Sequence, residues 1–183
     1  MNLDPIIIAF TFTFLAELGD KTQLMIISLS SFHKKLTLFF VALTALLTVN
    51  LMGVLTGAAL KILIPEQVTR LLIGILFILF GLFFLRYGKK DASLFKTKYT
   101  ILTVFLLVSA AELGDKTQLS LVALSAKYEP ITVFLGAFLS FSLITWVNVT
   151  LGSKLCEIIS VDKLKLLCSL LFIVFGVLCL LGF

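Results

Sequence analysis

The residues Ala-Glu-Leu-Gly-Asp-Lys-Thr-Gln-Leu stand at Ala16–Leu24 and again, letter for letter, at Ala111–Leu119. Each copy lies inside a long apolar segment. Four carboxylates, Glu17, Asp20, Glu112 and Asp115, therefore sit where acids are rare. A charge near the centre of a bilayer costs roughly 2.5–3.5 kcal/mol on insertion scales. The remaining acids lie at the N-terminus or in connections. Oxygen ligands of this kind suit a hard divalent cation. Their duplication inside apolar segments points to movement of a cation across a membrane.

On a continuous helix Glu17 and Asp20 share one face, as do Glu112 and Asp115. If the two motif helices meet antiparallel, all four carboxylates converge on one midplane cavity. Without metal, four like charges so placed cannot all remain ionised, so some hold protons. One site then carries either a metal ion or protons, and that competition is the physical core of antiport. Gly19 and Gly114 allow either close helix approach or a local break that exposes carbonyl oxygens. Thr22, Gln23, Thr117 and Gln118 offer neutral oxygens to the ion or to interhelical hydrogen bonds. Lys21 and Lys116 are cations and not ligands. Each follows a Glu by four residues, an ion-pair spacing on a helix, and neutralises part of the cluster; a switching role on metal departure is the stronger version. Two Glu, two Asp and two Lys leave an excess of two negative charges. That excess fits one divalent ion or two protons better than a closed set of ion pairs that only fixes helix packing.

The chain has 183 residues, 60% of them hydrophobic and 14% charged. The charged share is about half that of an ordinary soluble domain. A soluble core of this size could not hide so much Leu, Ile, Val and Phe, whereas a membrane protein exposes them to lipid. The net charge of +5 does not indicate nucleic acid, because the basic residues cluster in short connections, as topology determinants do. Met1–Pro5 carries no positive region, and the next segment holds Glu17, Asp20 and Lys21, so the reading is a retained first span and not a removable signal. Cys156, Cys168 and Cys179 form no C-x-x-C pair and read as small apolar fillers, not a disulfide framework. Asn50 and Asn148 lie within spans, as packing hydrogen-bonders or cavity lining. His33 reads as a solvated loop residue and Trp146 as packing. No nucleotide loop, zinc spacing or nucleophile elbow is present. The expectation is no enzyme and no cofactor.

Six apolar segments run at about Pro5–Ser31, Leu36–Leu60, Val68–Leu85, Tyr99–Ala126, Ile131–Ser153 and Leu164–Gly182. Most can cross a hydrocarbon core of ~30 Å as helices. The third is short, with Arg70 and Arg86 able to snorkel to either interface. Pro5, Pro65 and Pro130 each stand near a helix start, where a missing N–H does little harm. The duplication extends beyond the motif at a constant offset of 95: Thr37 matches Thr132, Gly57 matches Gly152, and Phe80-Gly81 matches Phe175-Gly176. The expected architecture is an all-α integral membrane protein of six transmembrane helices, a 3+3 inverted-topology repeat. Residues 1–90 form the first repeat, 91–98 a cytoplasmic linker, and 99–183 the second, inverted repeat. Three spans per half force the inversion, and such repeats place sites near the midplane. The lysine-rich connections, one, three and five, go to the cytoplasm by the positive-inside rule, with both termini outside.

Glu17–Thr22 and Glu112–Thr117 resemble the E-x-G-D-[KR]-[TS] signature of a cation/proton exchanger family, uncharacterised protein family 0016 or calcium:cation antiporter-2. It includes Golgi manganese/calcium transporters and MneA-type bacterial manganese exporters. The resemblance covers essentially the whole chain. It implies export of Mn2+ or Ca2+ from the cytosol in exchange for protons, with Glu17, Asp20, Glu112 and Asp115 binding and coupling. The short termini and central loop imply the plasma membrane of a prokaryote. Expected partners are the lipid bilayer, a divalent ion and protons, with no nucleic acid; a homo-oligomer is allowed but not required. The rivals are a divalent-cation channel with an acidic filter and no proton coupling, and a membrane scaffold with the acids as helix glue.

Overall fold

The computed structural model describes residues 3–18, 20–86, 99–158 and 161–181. Gly19, the linker 91–98 and the side chains of Cys156, Cys168 and Cys179 lie outside the described residues. Every described element is helical: α1 (Asp4–Glu17), α2 (Lys21–Ser30), α3 (Lys35–Leu63), α4 (Glu66–Arg86), α5 (Ile101–Glu112), α6 (Lys116–Lys127), α7 (Pro130–Ile158) and α8 (Val161–Leu181). The six expected segments appear as eight helices because the first and fourth each break at the motif. Pro5 and Pro130 lie in the first turns of α1 and α7, and Pro65 directly precedes α4. There the missing N–H is one the helix leaves unbonded anyway. By length and composition, Lys35–Leu63 and Pro130–Thr150 are each apolar enough to cross a membrane. At 1.5 Å per residue, the 29 residues of α3 extend about 44 Å, more than a hydrocarbon core.

The helices pack so that exchanging the two halves maps one contact onto another. α1 lies on α7 as α5 lies on α3, and α2 lies on α7 as α6 lies on α3. Counterparts also meet each other, α3 with α7 and α4 with α8. The α4–α8 pair depends on small residues at matched positions. A Cβ built on Gly176 would stand 2.7 Å from the Gly74 carbonyl oxygen, and one on Gly81 would stand 2.8 Å from that of Ser169. Gly74 meets Gly176 while Gly81 meets Ser169, so the two helices run antiparallel. Lacking side chains, the glycines let the backbones approach and gain dispersion contact without a hydrophobic drive. Phe12 of α1 joins Phe77 of α4 and Phe175 of α8, with ring centroids 5.4, 4.4 and 5.1 Å apart.

One local expectation changes. His33 is not a solvated loop residue. Its Nδ1 lies 3.0 Å from the Leu29 carbonyl oxygen and its Nε2 2.8 Å from that of Tyr99. The ring thus bridges the end of α2 and the start of the second half, because two backbone acceptors are within reach of its two nitrogens. Trp146 does pack, edge-on to Phe39 at 5.4 Å, yet remains 47% exposed on the outer surface of α7.

Replacing Gly176 with Val forces new atoms against the Gly74 carbonyl. Overpacking of this kind costs about 1–3 kcal/mol. Thermal unfolding in detergent should show a lowered midpoint for G176V and none for V177L at the exposed neighbour. An unchanged midpoint in G176V would contradict the tight α4–α8 crossing.

Candidate metal centre

Both motifs break the helix in the same way. α1 ends at Glu17 and α5 at Glu112, and the following leucines, Leu18 and Leu113, are extended at φ −61° and ψ 120–121°. Asp20 and Asp115 are extended too, at φ −81° and −79°, and stand as the residues before α2 and α6. The Asp20 N–H bonds to the Glu17 carbonyl and the Asp115 N–H to the Glu112 carbonyl, both at 3.1 Å. Gly114 has φ +73°, and a Cβ there would have no neighbour within 4 Å. Its role is therefore the left-handed turn that only glycine adopts freely, not close packing. The Gln118 side-chain Oε1 accepts from the Gly114 N–H at 2.8 Å and fastens the break.

Two consequences correct the continuous-helix picture. Glu17 and Asp20 do not share a helix face, since the chain leaves the helix between them. Nor do Lys21 and Lys116 pair with the Glu four residues earlier in an unbroken helix. Lys21 Nζ instead bonds Asp115 Oδ1 at 3.3 Å, and Lys116 Nζ bonds Asp20 Oδ1 at 3.0 Å. Each lysine reaches the aspartate of the other motif. The breaks also aim the N-termini of α2 and α6, with their partial positive charge, toward the acids, as in transporters with discontinuous helices.

The breaks and the cross-pairing bring carboxylates from both halves together. One oxygen each of Glu17, Asp20 and Glu112 lie within 4.8 Å of one another. Oxygens bound to one Ca2+ at 2.3–2.6 Å stand at most about 4.6–5.2 Å apart, so this group can share an ion. Asp115 is outside that set; it lies against Asp20 and holds Lys21. Glu17 and Glu112 are 3% and 0% exposed. Both Glu112 oxygens and one oxygen of each aspartate have no hydrogen-bond donor. A buried carboxylate oxygen without a donor is what an arriving cation satisfies.

The two halves differ around this centre. The Thr117 hydroxyl donates to Glu17 Oε1 at 2.9 Å, while Thr22 faces Glu112 without closing a hydrogen bond. The Gln23 amide donates to Asn148 Oδ1 at 2.8 Å. The equivalent of Asn148 is Gly53, and Gln118 there donates to the Val49 carbonyl at 3.1 Å. Asn50 donates to the Leu46 carbonyl and keeps a buried, unpartnered Oδ1. The Lys116–Asp20 pair is buried, with side chains 7% and 15% exposed, whereas the Lys21 side chain is 52% exposed. Breaking a buried pair costs about 3–5 kcal/mol, and breaking an exposed one about 1 kcal/mol or less. Lys116→Met should therefore destabilise the detergent-solubilised chain far more than Lys21→Met. Equal midpoints in thermal unfolding would refute the inequality.

A sequence model of the family described as "Divalent cation/proton antiporter GDT1" matches residues 5–92 and 100–182. Among curated relatives, a GDT1-like protein of Schizosaccharomyces pombe is 25% identical over 88% of this chain and 84% of its own length. GDT1-like protein 5 of Arabidopsis thaliana is 29% identical over 90% of each chain. A Saccharomyces cerevisiae protein named "Divalent cation/proton antiporter GDT1" is 23% identical over 88% of this chain and 78% of its own. No solved structure matches the chain. These relatives are fungal and plant proteins, which overturns the expected prokaryotic plasma membrane with both termini outside. Compactness was the ground for that expectation, and it does not discriminate, since the chain aligns with most of the length of eukaryotic relatives. The match runs through both halves and not around one motif alone, and so the chain belongs to the divalent cation/proton antiporter GDT1 family of membrane proteins.

Proposed function

We propose that the chain exports a divalent cation from the cytosol in exchange for protons, with Mn2+ ahead of Ca2+. The observation that carries this reading is the convergence of Glu17, Asp20 and Glu112, drawn from both halves, within one ion's reach. Asp115 completes the set as the fourth carboxylate, alternating between Lys21 and the ion. Thr22, Thr117, Gln23, Gln118 and Gly114 shape the cage around it. An oxygen-only cluster suits the hard ions Mn2+ and Ca2+ alike. The architecture proposed is six spans in a 3+3 inverted repeat, 1–90 and 99–183. The exchange symmetry of the helix contacts and the two segments matched by the family support it.

In the proposed cycle, the cytoplasm-facing site takes up metal and releases protons. The halves then rock, and the opposite face exchanges metal for protons. The excess of two negative charges in the motifs matches one divalent ion or two protons, so an exchange of one for two leaves the site's charge unchanged. Lys21 and Lys116 hold the aspartates of the opposite repeat and keep that excess at two. A channel with an acidic filter is the other reading; it needs no inward protons and no exchange.

Proteoliposomes with an imposed proton gradient separate the two. Mn2+ and Ca2+ uptake would be followed separately beside a pH dye. Accumulation against the metal gradient, with matching proton movement, is the expected result. Metal movement only down its gradient, without a pH signal, would favour the channel. Glu17→Gln and Glu112→Gln should each reduce metal transport to the level of empty liposomes while eluting as folded protein. Normal transport by either variant would remove that residue from the site.

A further inference from the structure

Thr13 and Ser140 are buried hydroxyls that the cation site does not use. Thr13 is 1% exposed and Ser140 0%, and neither hydroxyl has a hydrogen-bond partner. Thr22, Ser109, Ser125 and Thr145 are likewise buried without a partner, whereas the more exposed hydroxyls of these helices bond back to their own backbone. Thr44, Thr48, Thr56, Ser142 and Thr150 each donate to the carbonyl four residues back. That bond is how a helix satisfies a hydroxyl in apolar surroundings. Thr13 and Ser140 leave it unmade.

The register of α1 on α7 sets these two residues opposite each other. A Cβ built on Gly136 would meet the Ile6 carbonyl oxygen, the Ala9 Cβ and the Phe10 nitrogen at 2.4–3.0 Å. Farther along, Gln23 of α2 bonds Asn148 of α7. The two elements therefore run side by side in the same direction. One turn beyond Ala9 is Thr13, and one turn beyond Gly136 is Ser140. A turn beyond Thr13, about 6 Å along the helix, is Glu17.

The other half shows that packing alone does not require hydroxyls here. At the offset of 95, Thr13 becomes Val108 and Ser140 becomes Ala45. Both are buried, at 0% exposure, and apolar. The same architecture thus fills the two equivalent positions with hydrocarbon. An unmet hydroxyl destabilises a fold, and facing hydroxyls in an apolar wall are the setting in which a buried water gains hydrogen bonds.

We infer that Thr13 and Ser140 bind water between α1 and α7 and form a proton route to the Glu17 end of the site, apart from the path of the cation. The inference rests on the antiporter reading above. A proton passes from this water to the site as one O–H bond breaks and another forms. The water is then reprotonated from the solvent side, so the hydroxyls finish unchanged and one proton has moved inward. Above the pair, Gly136 closes the seam against Ile6 and Ala9. Parting α1 from α7 connects the water to the side on which α1 begins.

The test uses the full chain carrying Thr13→Val with Ser140→Ala, beside Thr13→Ser with native Ser140. Mn2+ is the probe for both binding in detergent and exchange in proteoliposomes. The double variant should bind Mn2+ with wild-type affinity and unfold at or above the wild-type midpoint, because unmet hydroxyls are gone. Its proton-coupled exchange should fall by about tenfold or more, while Thr13→Ser exchanges normally. Wild-type exchange in the double variant overturns the inference. So does a weakened Mn2+ affinity, which would assign the hydroxyls to the ion, or a lowered midpoint, which would assign them to the fold. If the native chain itself couples no protons, the antiporter reading fails; if it does and the double variant matches it, only the route fails.

Discussion

A charge inside an apolar slab must find its opposite within a few ångströms, and in this chain it finds it in the other half. Lys21 holds Asp115 and Lys116 holds Asp20. Neither motif is electrically complete without its copy, and the rest of the architecture answers to that constraint. The helices must break so that the lysines can reach across. The halves must meet at the breaks, and the glycine faces of α4 and α8 let those two helices pack closely on each other. Removing either partner of the buried pair would leave a bare charge, which is why cross-pairing ties the site to the fold.

The broken helices also change how the carboxylates are presented. A continuous helix carries its carboxylates at a fixed pitch and occupies its own carbonyls in hydrogen bonds. The interruption at Leu113–Asp115 turns the chain through a left-handed glycine and sets the Asp at the head of the next helix. Glutamate and aspartate then approach a common point from two directions instead of lining one face. The positive ends of α2 and α6 face that point as well, so the acids gather there at lower electrostatic cost.

Identical motifs do not make identical surroundings. Thr117 closes on Glu17 while Thr22 stands off Glu112, and Asn148 meets Gln23 where Gly53 stands opposite Gln118. One lysine is buried and its copy half exposed. A device that presents one site to two sides in turn requires two unequal conformations of equivalent parts, and a duplicated chain provides them by exchanging which half is closed. The divergence at Thr13 and Val108 shows that the halves also differ in permanent chemistry, not only in conformation.

Much was legible in the letters. The duplicated motif, the offset of 95, the apolar runs and the acids inside them follow from composition and spacing, because an ionisable residue in an apolar segment is costly wherever it is placed. Pro5, Pro65 and Pro130 marked helix starts for the local reason that proline lacks an N–H. The break at the motif was open, since glycine serves close packing and turns alike, and only φ at Gly114 decided for the turn. Spacing suggested that Lys21 would pair with Glu17, because sequence reports neighbours along one helix and is silent about neighbours across two. The partner of each lysine, the standing of Asp115 outside the tightest group, and the hold of His33 on two backbone carbonyls all depend on which elements meet. That is a property of the packed tertiary structure, where distances in space replace distances along the chain.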